Sequence, residues 1–269
     1  MKTERQKRIF DSLTPCKVFG DVGCDHGRFT LAMLVSGKAE RAVYSDISAK
    51  SLQKAEKLLA DYADVSQSVV CDGIERRHAP CDEILIAGMG GAEVVKILSR
   101  APQLPKRLVV QPMKDAEAVR RAMDALGYLL AEDIVFPAEG KYYYLIAGEL
   151  DRGVSGAAGG NAIAKADGMH AAENCAAKAR TFPILQSVMR NPVQIDKNCN
   201  HYTEAEFRFG RGTLASFPLV FTEILQKRRG ELKEALLSAS EKTAPDLQKE
   251  LNETEEYLGY ATQKNSGNF

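Results

Sequence analysis

The sequence predicts an α/β fold in which a doubly wound, mainly parallel sheet ends in an antiparallel edge hairpin and is followed by a C-terminal α-helical hairpin. Three observations predict this fold. Between residues 17 and 150, short apolar runs alternate with helical patterns, as in doubly wound sheets. At the end of this region two β-rich runs adjoin across a short turn, and beyond residue 217 the apolar residues repeat with a helical period.

The first predicted strand leads into a turn that suits a ligand. In GDVGCDHG, Asp21, Gly23 and Gly27 lie between a β-branched run and a helical pattern, where nucleotide-type ligands meet a helix N-terminus. The glycines do not spell GxGxxG, and Asp25 and His26 lie where a dinucleotide diphosphate needs bare backbone. Because a carboxylate repels diphosphate, this turn favours a cationic ligand.

Four further runs predict parallel strands, namely RAVYSDI, QSVVCDG, EILIAGMG and RLVVQP. The second strand ends in Asp46, where nucleotide-binding sheets place the carboxylate that bonds ribose hydroxyls, and the third ends in Asp72. Each aspartate alone equally fits a helix cap or a turn. Because the carboxyl ends of parallel strands meet at one edge, the three aspartates together predict a single ligand site.

Four segments predict the helices between these strands, namely FTLAMLVSG, SAKSLQKAEKLLADY, GAEVVKILSR and DAEAVRRAMDALG. The link IERRHAPC is too short for a good helix. In YLLAEDIVFPAEGKYYYLIAGEL, Pro137, Glu139 and Gly140 join two β-rich runs into a hairpin. Five parallel strands plus such a hairpin are typical of the Rossmann-like class I methyltransferase sheet, whereas a dinucleotide dehydrogenase normally keeps its sheet parallel.

Changes in composition predict three parts of the chain. Residues 1–150 form the sheet domain, the Gly/Ala-rich stretch 151–208 is an insertion or linker, and residues 209–269 form an antiparallel helical hairpin. The second helix of the hairpin is expected to begin around Thr243, Ala244 and Pro245.

Charge and cysteine usage restrict the possible classes of protein. Thirty-six basic and 36 acidic residues give a formal net charge of zero, so nucleic acid binding would need a local basic patch. No apolar stretch approaches the roughly 18 residues of a membrane span. Six cysteines without paired spacing indicate reduced thiols, and we expect a cytoplasmic protein and a monomer. His170, Cys175, Cys199 and His201 fit no zinc-ligand pattern, so no metal is expected.

Three further stretches are informative together: EILIAGMGG, LVVQPM and PAEGKYYYLIAGE. With GDVGCDHG and FRFGRGTL they resemble the bacterial tRNA (adenine-22-N1)-methyltransferase family, over residues 5 to 150 and again from about Phe209. The chain departs from the family in CDHGRF, where the family has a pattern like SDHAY, and at Met113, where it has Asn. The resemblance implies S-adenosylmethionine as cofactor, tRNA as partner, and methylation of N1 of an adenine.

S-adenosylmethionine carries a sulfonium, an ammonium and a carboxylate beside its adenosine. Such a ligand needs carboxylates for the cations and ribose, and backbone N–H groups near a helix N-terminus for its carboxylate. The residues expected to bind this cofactor are Asp21, Gly23, Cys24, Gly27, Asp46, Ile47, Asp72, Gly73, Ala87, Gly88 and Met89.

Adenine N1 has an in-plane lone pair, so its attack on the methyl group needs no prior deprotonation, and positioning is expected to supply the rate. The candidate catalytic residues are Asp25, His26, Gln111 and Pro112. His26 equally fits a packing or hydrogen-bonding role. A base in a tRNA stem must leave the stack to react. The residues expected to bind substrate are Gly90, Gly91, Glu139, Lys141, Tyr143, Arg5, Arg8, Lys227, Arg228 and Arg229.

Two alternatives remain open. A methyltransferase of the same fold could act on another RNA site or on a small molecule. A non-catalytic RNA-binding relative could keep the fold while losing the reaction, which the altered CDHGRF segment and Met113 make conceivable. The three aspartates at successive strand ends favour a working cofactor site.

Overall fold

The structure is a computed structural model that describes residues 1–78, 80–151 and 202–265. Seven strands form one mixed sheet. They are β1 (Cys16–Val22), β2 (Ala39–Asp46), β3 (Ser66–Val70), β4 (Glu83–Ala87), β5 (Arg107–Gln111), β6 (Tyr128–Ala138) and β7 (Lys141–Leu150). The strand order is β3-β2-β1-β4-β5-β7-β6. Strands β1 to β5 are parallel, and β7 runs antiparallel between β5 and β6. The five predicted parallel strands and the edge hairpin are confirmed.

Five helices accompany the sheet. They are α1 (Glu4–Ser12), α2 (Arg28–Val35), α3 (Ala49–Leu58), α4 (Gly91–Arg100) and α5 (Ala116–Ala125). Helices α2 to α5 confirm the four predicted helices. The link between β3 and β4, predicted to be too short for a good helix, contains the 3-10 turn Arg76–His78. Helix α1 was not predicted. Its N-cap Thr3 accepts a hydrogen bond from the Gln6 amide, and its Ile9 side chain is fully buried.

The core lies on both faces of the sheet, as expected for parallel strands covered by helices. Successive residues of β4 point to opposite faces: Ile84 and Ile86 pack with α4 and α5, whereas Leu85 packs with α1, α2 and α3. This two-sided burial leaves only the ends of the strands available to a ligand.

Within residues 202–265, four helices follow. They are α6 (Glu204–Phe209), α7 (Arg211–Ser216), α8 (Leu219–Leu237) and α9 (Ala244–Asn265). Six residues separate α8 from α9, and the two helices pack as the predicted helical hairpin. The expected boundary between residues 208 and 209 falls inside α6. Most of the predicted linker, with His170, Cys175, Cys199 and His201, lies outside the described residues.

A buried ion pair joins the sheet domain to this C-terminal part. Arg120 of α5 donates from Nε to both carboxylate oxygens of Asp133 on β6, at 2.9 and 3.0 Å, and neither side chain is exposed. Asp133 also accepts from the Tyr202 hydroxyl and the Arg211 amide, both at 3.1 Å. Burial raises the pKa of Asp133, and the Arg120 guanidinium opposes this shift.

The same arginine holds the backbone of α6. Its Nη1 donates to the carbonyls of Phe207 and Arg208 at 3.0 and 3.2 Å. Gly210 follows at φ +93°, and a Cβ there would lie 2.6 Å from Asp133 Oδ1. Only glycine fits this close approach. The glycine at position 210 thus lets the FRFGRG segment pack directly against the Arg120–Asp133 pair.

In the parts of the chain that the structure describes, no helix is both long and apolar enough to cross a membrane.

Breaking the buried pair should strongly destabilise the protein. In Asp133→Ala, Arg120 stays buried without its counterion, which we expect to lower the free energy of unfolding by about 3–5 kcal/mol. Urea denaturation measures the loss. Glu231→Ala is the matched control, because its pair with Arg228 is half exposed and should contribute less than about 1 kcal/mol. Equal losses in the two variants would contradict the role of the buried pair.

Candidate functional site

A cleft of about 650 Å³ opens at the carboxyl ends of β1, β2 and β4. Its walls contain every residue predicted to bind the cofactor except Gly27, together with the candidates Asp25, His26 and Arg5. The structure thus brings these strand-end residues together at one edge of the sheet. The lining residues that were not predicted are Gln6, Val22, Arg28, Phe29, Cys71, Glu93 and Ile97.

The glycine turn after β1 is tied to the end of β2. The amides of Gly23 and Cys24 both donate to the carbonyl of Ser45, at 2.8 and 2.9 Å. Gly23 has φ +73°, and a Cβ there would lie 2.1 Å from Met89 Cε, so the missing side chain makes room inside the cleft. Gly27 instead serves packing, because a Cβ at this N-cap of α2 would lie 2.9 Å from the Cβ of Ala55 on α3.

Asp21 is a buried carboxylate at the base of the cleft. Its Oδ2 accepts from the Thr30 amide at 3.2 Å and from the Thr30 hydroxyl at 2.7 Å, at the start of α2. Burial raises the pKa of Asp21 to about 6, although the hydrogen bonds from Thr30 oppose the shift. Because water stabilises this buried carboxylate poorly, its ionised form would pair favourably with a cation that enters the cleft.

Asp46 connects the two loops that border the cleft. Its Oδ1 accepts from the Ser48 amide at 2.8 Å, and its Oδ2 accepts from the Asp25 amide at 3.1 Å. Asp25 has φ +50°, and its Oδ2 lies 2.5 Å from His26 Nδ1. The Asp25–His26 pair is exposed, with side-chain exposures of 69% and 39%, so His26 is not a core packing residue.

At the third strand, Asp72 pairs with Arg100 Nη2 at 3.1 Å, and both side chains are half exposed. Gly73 follows at φ +103°, and a Cβ there would lie 3.1 Å from the Ile97 side chain. Asp72 and Gly73 thus line the cleft as predicted, but Asp72 already has a basic partner that a ligand would have to share.

Sequence reasoning missed His78. This histidine is buried; its Nδ1 accepts from the Glu75 amide at 3.1 Å, and its Nε2 lies 3.1 Å from Ser45 Oγ. Because the amide must donate to Nδ1, we assign the ring hydrogen to Nε2, which donates to Ser45. Burial lowers the pKa of His78, which favours this neutral form. His78 thereby holds Ser45 in place, and the Ser45 carbonyl accepts the hydrogen bonds from the glycine turn.

The AGMGG loop after β4 is held by the segment after β5. Gly88 donates its amide to the Gln111 carbonyl at 3.0 Å, and the Met113 amide donates to the Met89 carbonyl at 2.8 Å. Gly91 begins α4, and a Cβ there would lie 2.2 Å from the carbonyl oxygen of Asp115. This glycine is therefore required for packing between the two loops. Gly90, also predicted to bind substrate, is the N-cap of α4.

Helix α1 brings distant candidates together. Arg5 Nε donates to Gln111 Oε1 at 2.7 Å, and the Arg5 amide donates to Glu139 Oε1 at 3.3 Å. The Arg5 guanidinium lies 5.2 Å from the centroid of the Tyr143 ring. A Cβ on Gly88 would lie 3.3 Å from Arg5 Nη2. Gln111, Glu139 and Tyr143 thus hold Arg5 beside Gly88, and of these four predicted residues Arg5 lines the cleft.

The remaining candidates do not line the cleft. The Gln111 amide is fully buried and donates to the Pro112 carbonyl at 2.8 Å. Arg8 pairs with Glu132 at 3.2 Å, and Lys141 is exposed. Lys227, Arg228 and Arg229 lie on α8.

Two of these C-terminal cations have acidic partners. Arg228 pairs with Glu250 at 2.8 Å, and Lys227 lies 4.0 Å from Glu231. Within residues 1–78, 80–151 and 202–265, no group of three or more His, Cys, Asp or Glu side chains could hold a metal ion.

The geometry described so far fits several kinds of ligand chemistry, and sequence comparison decides the family. The family described as "Methyltransferase domain" matches residues 2–146, more than half of the 269 residues. The chain belongs to this family. Its methyltransferase domain runs from α1 into β7 and contains every residue of the cleft.

Two curated proteins are similar to this chain. One from Mycoplasma pneumoniae, named "Putative tRNA methyltransferase", is 29% identical over 134 residues, which are 49% of this chain and 62% of that protein. The tRNA (adenine(22)-N(1))-methyltransferase of Bacillus subtilis is 27% identical over 156 residues, which are 55% of this chain and 64% of that protein. The chain thus spans less than two thirds of either relative. The resemblance expected from the sequence is confirmed.

Solved structures share the fold. Mycoplasma capricolum TrmK, bound to S-adenosyl-homocysteine, is 15% identical with a TM-score of 0.71, covering 96% of this chain and 98% of that one. The Bacillus subtilis m1A22 tRNA methyltransferase TrmK is 18% identical with a TM-score of 0.63, covering 98% of both chains. The predicted Rossmann-like sheet with C-terminal helices is confirmed by these structures.

His78 should make the stability of the protein depend on pH. Because its pKa is lowered in the folded protein, the unfolded chain binds more protons between that lowered pKa and about 6.5. Its contribution to the free energy of unfolding is complete above about pH 6.5 and is lost as the pH falls. We expect urea denaturation to show a difference between wild type and His78→Gln that shrinks on acidification. A difference that is independent of pH would contradict the neutral, buried state.

Proposed function

We propose that this protein transfers a methyl group from S-adenosylmethionine to N1 of an adenine in tRNA, with position 22 as the target. The observation that carries the proposal is the meeting of Asp21, Asp46 and the glycine turn in one cleft of a methyltransferase-family domain. The name of the Bacillus subtilis relative supports the acceptor atom and its position.

The residues in the cleft fit S-adenosylmethionine. Asp21 would attract the cationic end of the cofactor, since its buried carboxylate lacks a cationic partner among the bonds that hold it. Asp46 would bind the ribose hydroxyls, and the room above Gly23 would admit the amino-acid part once the Met89 side chain turns aside. The cofactor supplies an electrophilic methyl group on a sulfonium. A volume of about 650 Å³ lies within the usual range for such ligands.

The residues near the acceptor would act by positioning the adenine. Gln111, Tyr143 and Glu139 lie around Arg5, which in turn lies beside Gly88, where a flipped base could approach the methyl group. Since adenine N1 attacks through its lone pair, these residues need not remove a proton. The product ring is cationic, and carboxylates such as Glu139 and Asp25 would stabilise it. We retain Asp25 and His26 as candidates for this electrostatic role.

For tRNA docking, we favour α1 over the C-terminal helices. Lys227 and Arg228 are engaged by Glu231 and Glu250, so phosphates would have to replace existing ion pairs. Helix α1 carries Arg5, which lines the cleft, together with Lys7 and with Arg8, which pairs with Glu132; Lys2 lies just before this helix. The proposal describes a monomeric enzyme of the cytoplasm. The free thiols of Cys16, Cys24, Cys71 and Cys81 are consistent with that compartment.

The reaction is tested by incubating the protein with labelled S-adenosylmethionine and unmodified bacterial tRNA transcripts, followed by mass spectrometry of the nucleosides. We expect N1-methyladenosine. Asp46→Ala should weaken cofactor binding by about tenfold to a hundredfold, because hydrogen bonds to a charged group are lost.

Asp61→Ala, at an exposed aspartate of the 3-10 turn after α3, is the matched control and should bind normally. Label in another nucleoside would indicate a different RNA target. Cofactor binding without any label in RNA would favour a small-molecule acceptor or a non-catalytic relative.

Asp21 should make cofactor affinity depend on pH. Its pKa is about 6 in the free protein, and a cationic ligand favours the ionised form, so binding must displace a proton at low pH. We expect calorimetric affinity to rise by up to about tenfold per pH unit below pH 6 and to level off above about pH 7.

Two variants test the assignment to Asp21. Asp21→Asn should bind weakly and lose this pH dependence. Thr30→Val removes a hydrogen bond that lowers the pKa of Asp21, so the rise should move to higher pH. A pH dependence that survives Asp21→Asn would assign the proton to another group.

A further inference from the structure

Arg5 lies in an unusual position for a residue that is expected to bind the RNA substrate. It does not project from the surface; its guanidinium points into the cleft, between the Tyr143 ring and the Gln111 amide. Arg5 Nη2 lies 3.3 Å from the place where a Cβ on Gly88 would be, so the group also touches the strand end next to the expected methyl donor.

The contacts of this guanidinium match those that an adenine would need. A planar group lies against an aromatic ring and donates an N–H to the oxygen of a buried amide. Adenine is also planar, and its amino group, next to N1, is a hydrogen-bond donor. The Gln111 oxygen is fixed in orientation, because its Nε2 is engaged by the Pro112 carbonyl.

Charge argues against Arg5 remaining there during methyl transfer. The methyl donor is a sulfonium cation, and methylation at N1 turns the adenine into a cation. Like charges this close together repel strongly where little water screens them. A fixed guanidinium in contact with both would oppose binding and reaction alike.

We propose that Arg5 fills the subsite of the acceptor adenine in the free protein and leaves it when the base enters. The inference rests on the proposed function. The adenine then stacks on Tyr143, and its amino group donates to Gln111 Oε1 in place of Arg5 Nε. The released guanidinium is free to bind an RNA phosphate, for which its planar fork is suited. Entry of the base is thus coupled to a contact with the RNA backbone.

The experiment measures calorimetric binding of adenosine to the full-length protein with S-adenosylhomocysteine saturating the cofactor site. Arg5→Ala should bind adenosine about tenfold more tightly than wild type, because no charged hydrogen bond or stacking contact has to be broken first. Arg41→Ala is the matched control: this exposed arginine lies near the start of β2, does not line the cleft, and its variant should bind as wild type does. Adding Tyr143→Ala to Arg5→Ala should abolish the gain.

Equal or weaker binding in Arg5→Ala, or no binding to either protein, would overturn the proposal and leave Arg5 as a strut that positions Gln111. The titration needs no methyl transfer, so the two proposals fail separately. Tighter adenosine binding with no methylation of tRNA would reject the reaction and keep the subsite. N1-methyladenosine formed by wild type, with no gain in Arg5→Ala, would reject the subsite alone.

Discussion

The parallel pairing of β1 with both β2 and β4 is the constraint on which the site depends. Asp21 lies opposite Tyr44 and Leu85 in this register, so all three strands end at the same edge. The Ser45 carbonyl extends the ladder by holding the amides of Gly23 and Cys24. A shift of either neighbour by one residue would move the turn and separate Asp21 from the next carboxylate. The cleft is therefore a product of strand register as much as of its own side chains.

The second constraint is the Arg120–Asp133 pair. A buried pair adds little net stability, because removing both charges from water offsets much of their attraction. Its value here is geometric: one carboxylate receives a guanidinium, a hydroxyl and an amide, and so fixes where residues 202–211 meet the sheet. The contacts of Asp133 thereby fix the position at which the C-terminal helices begin relative to the sheet.

Most of the sheet could be predicted because alternation of apolar runs and glycine turns is a local signal. The aspartates at the strand ends could be predicted for the same reason. Helix α1 was missed, since its only apolar residues, Ile9 and Phe10, stand among charged and polar ones. The partners of Arg5 lie 106 and 134 residues away, so no pattern around it reveals them. His78 was missed for the same reason: its hydrogen-bond partner Ser45 lies 33 residues away, on β2.

Strand β6 is the outermost strand on its side of the sheet, and at 11 residues it is long for that place. An uncovered strand of this length would offer free backbone groups to other chains. Helix α7 lies against it so closely that a Cβ on Gly212 would be 2.5 Å from the Asp133 carbonyl oxygen. The C-terminal part thus shields the nascent sheet from self-association. Truncated chains that end before residue 202 would expose an aggregation-prone edge, whatever their catalytic competence.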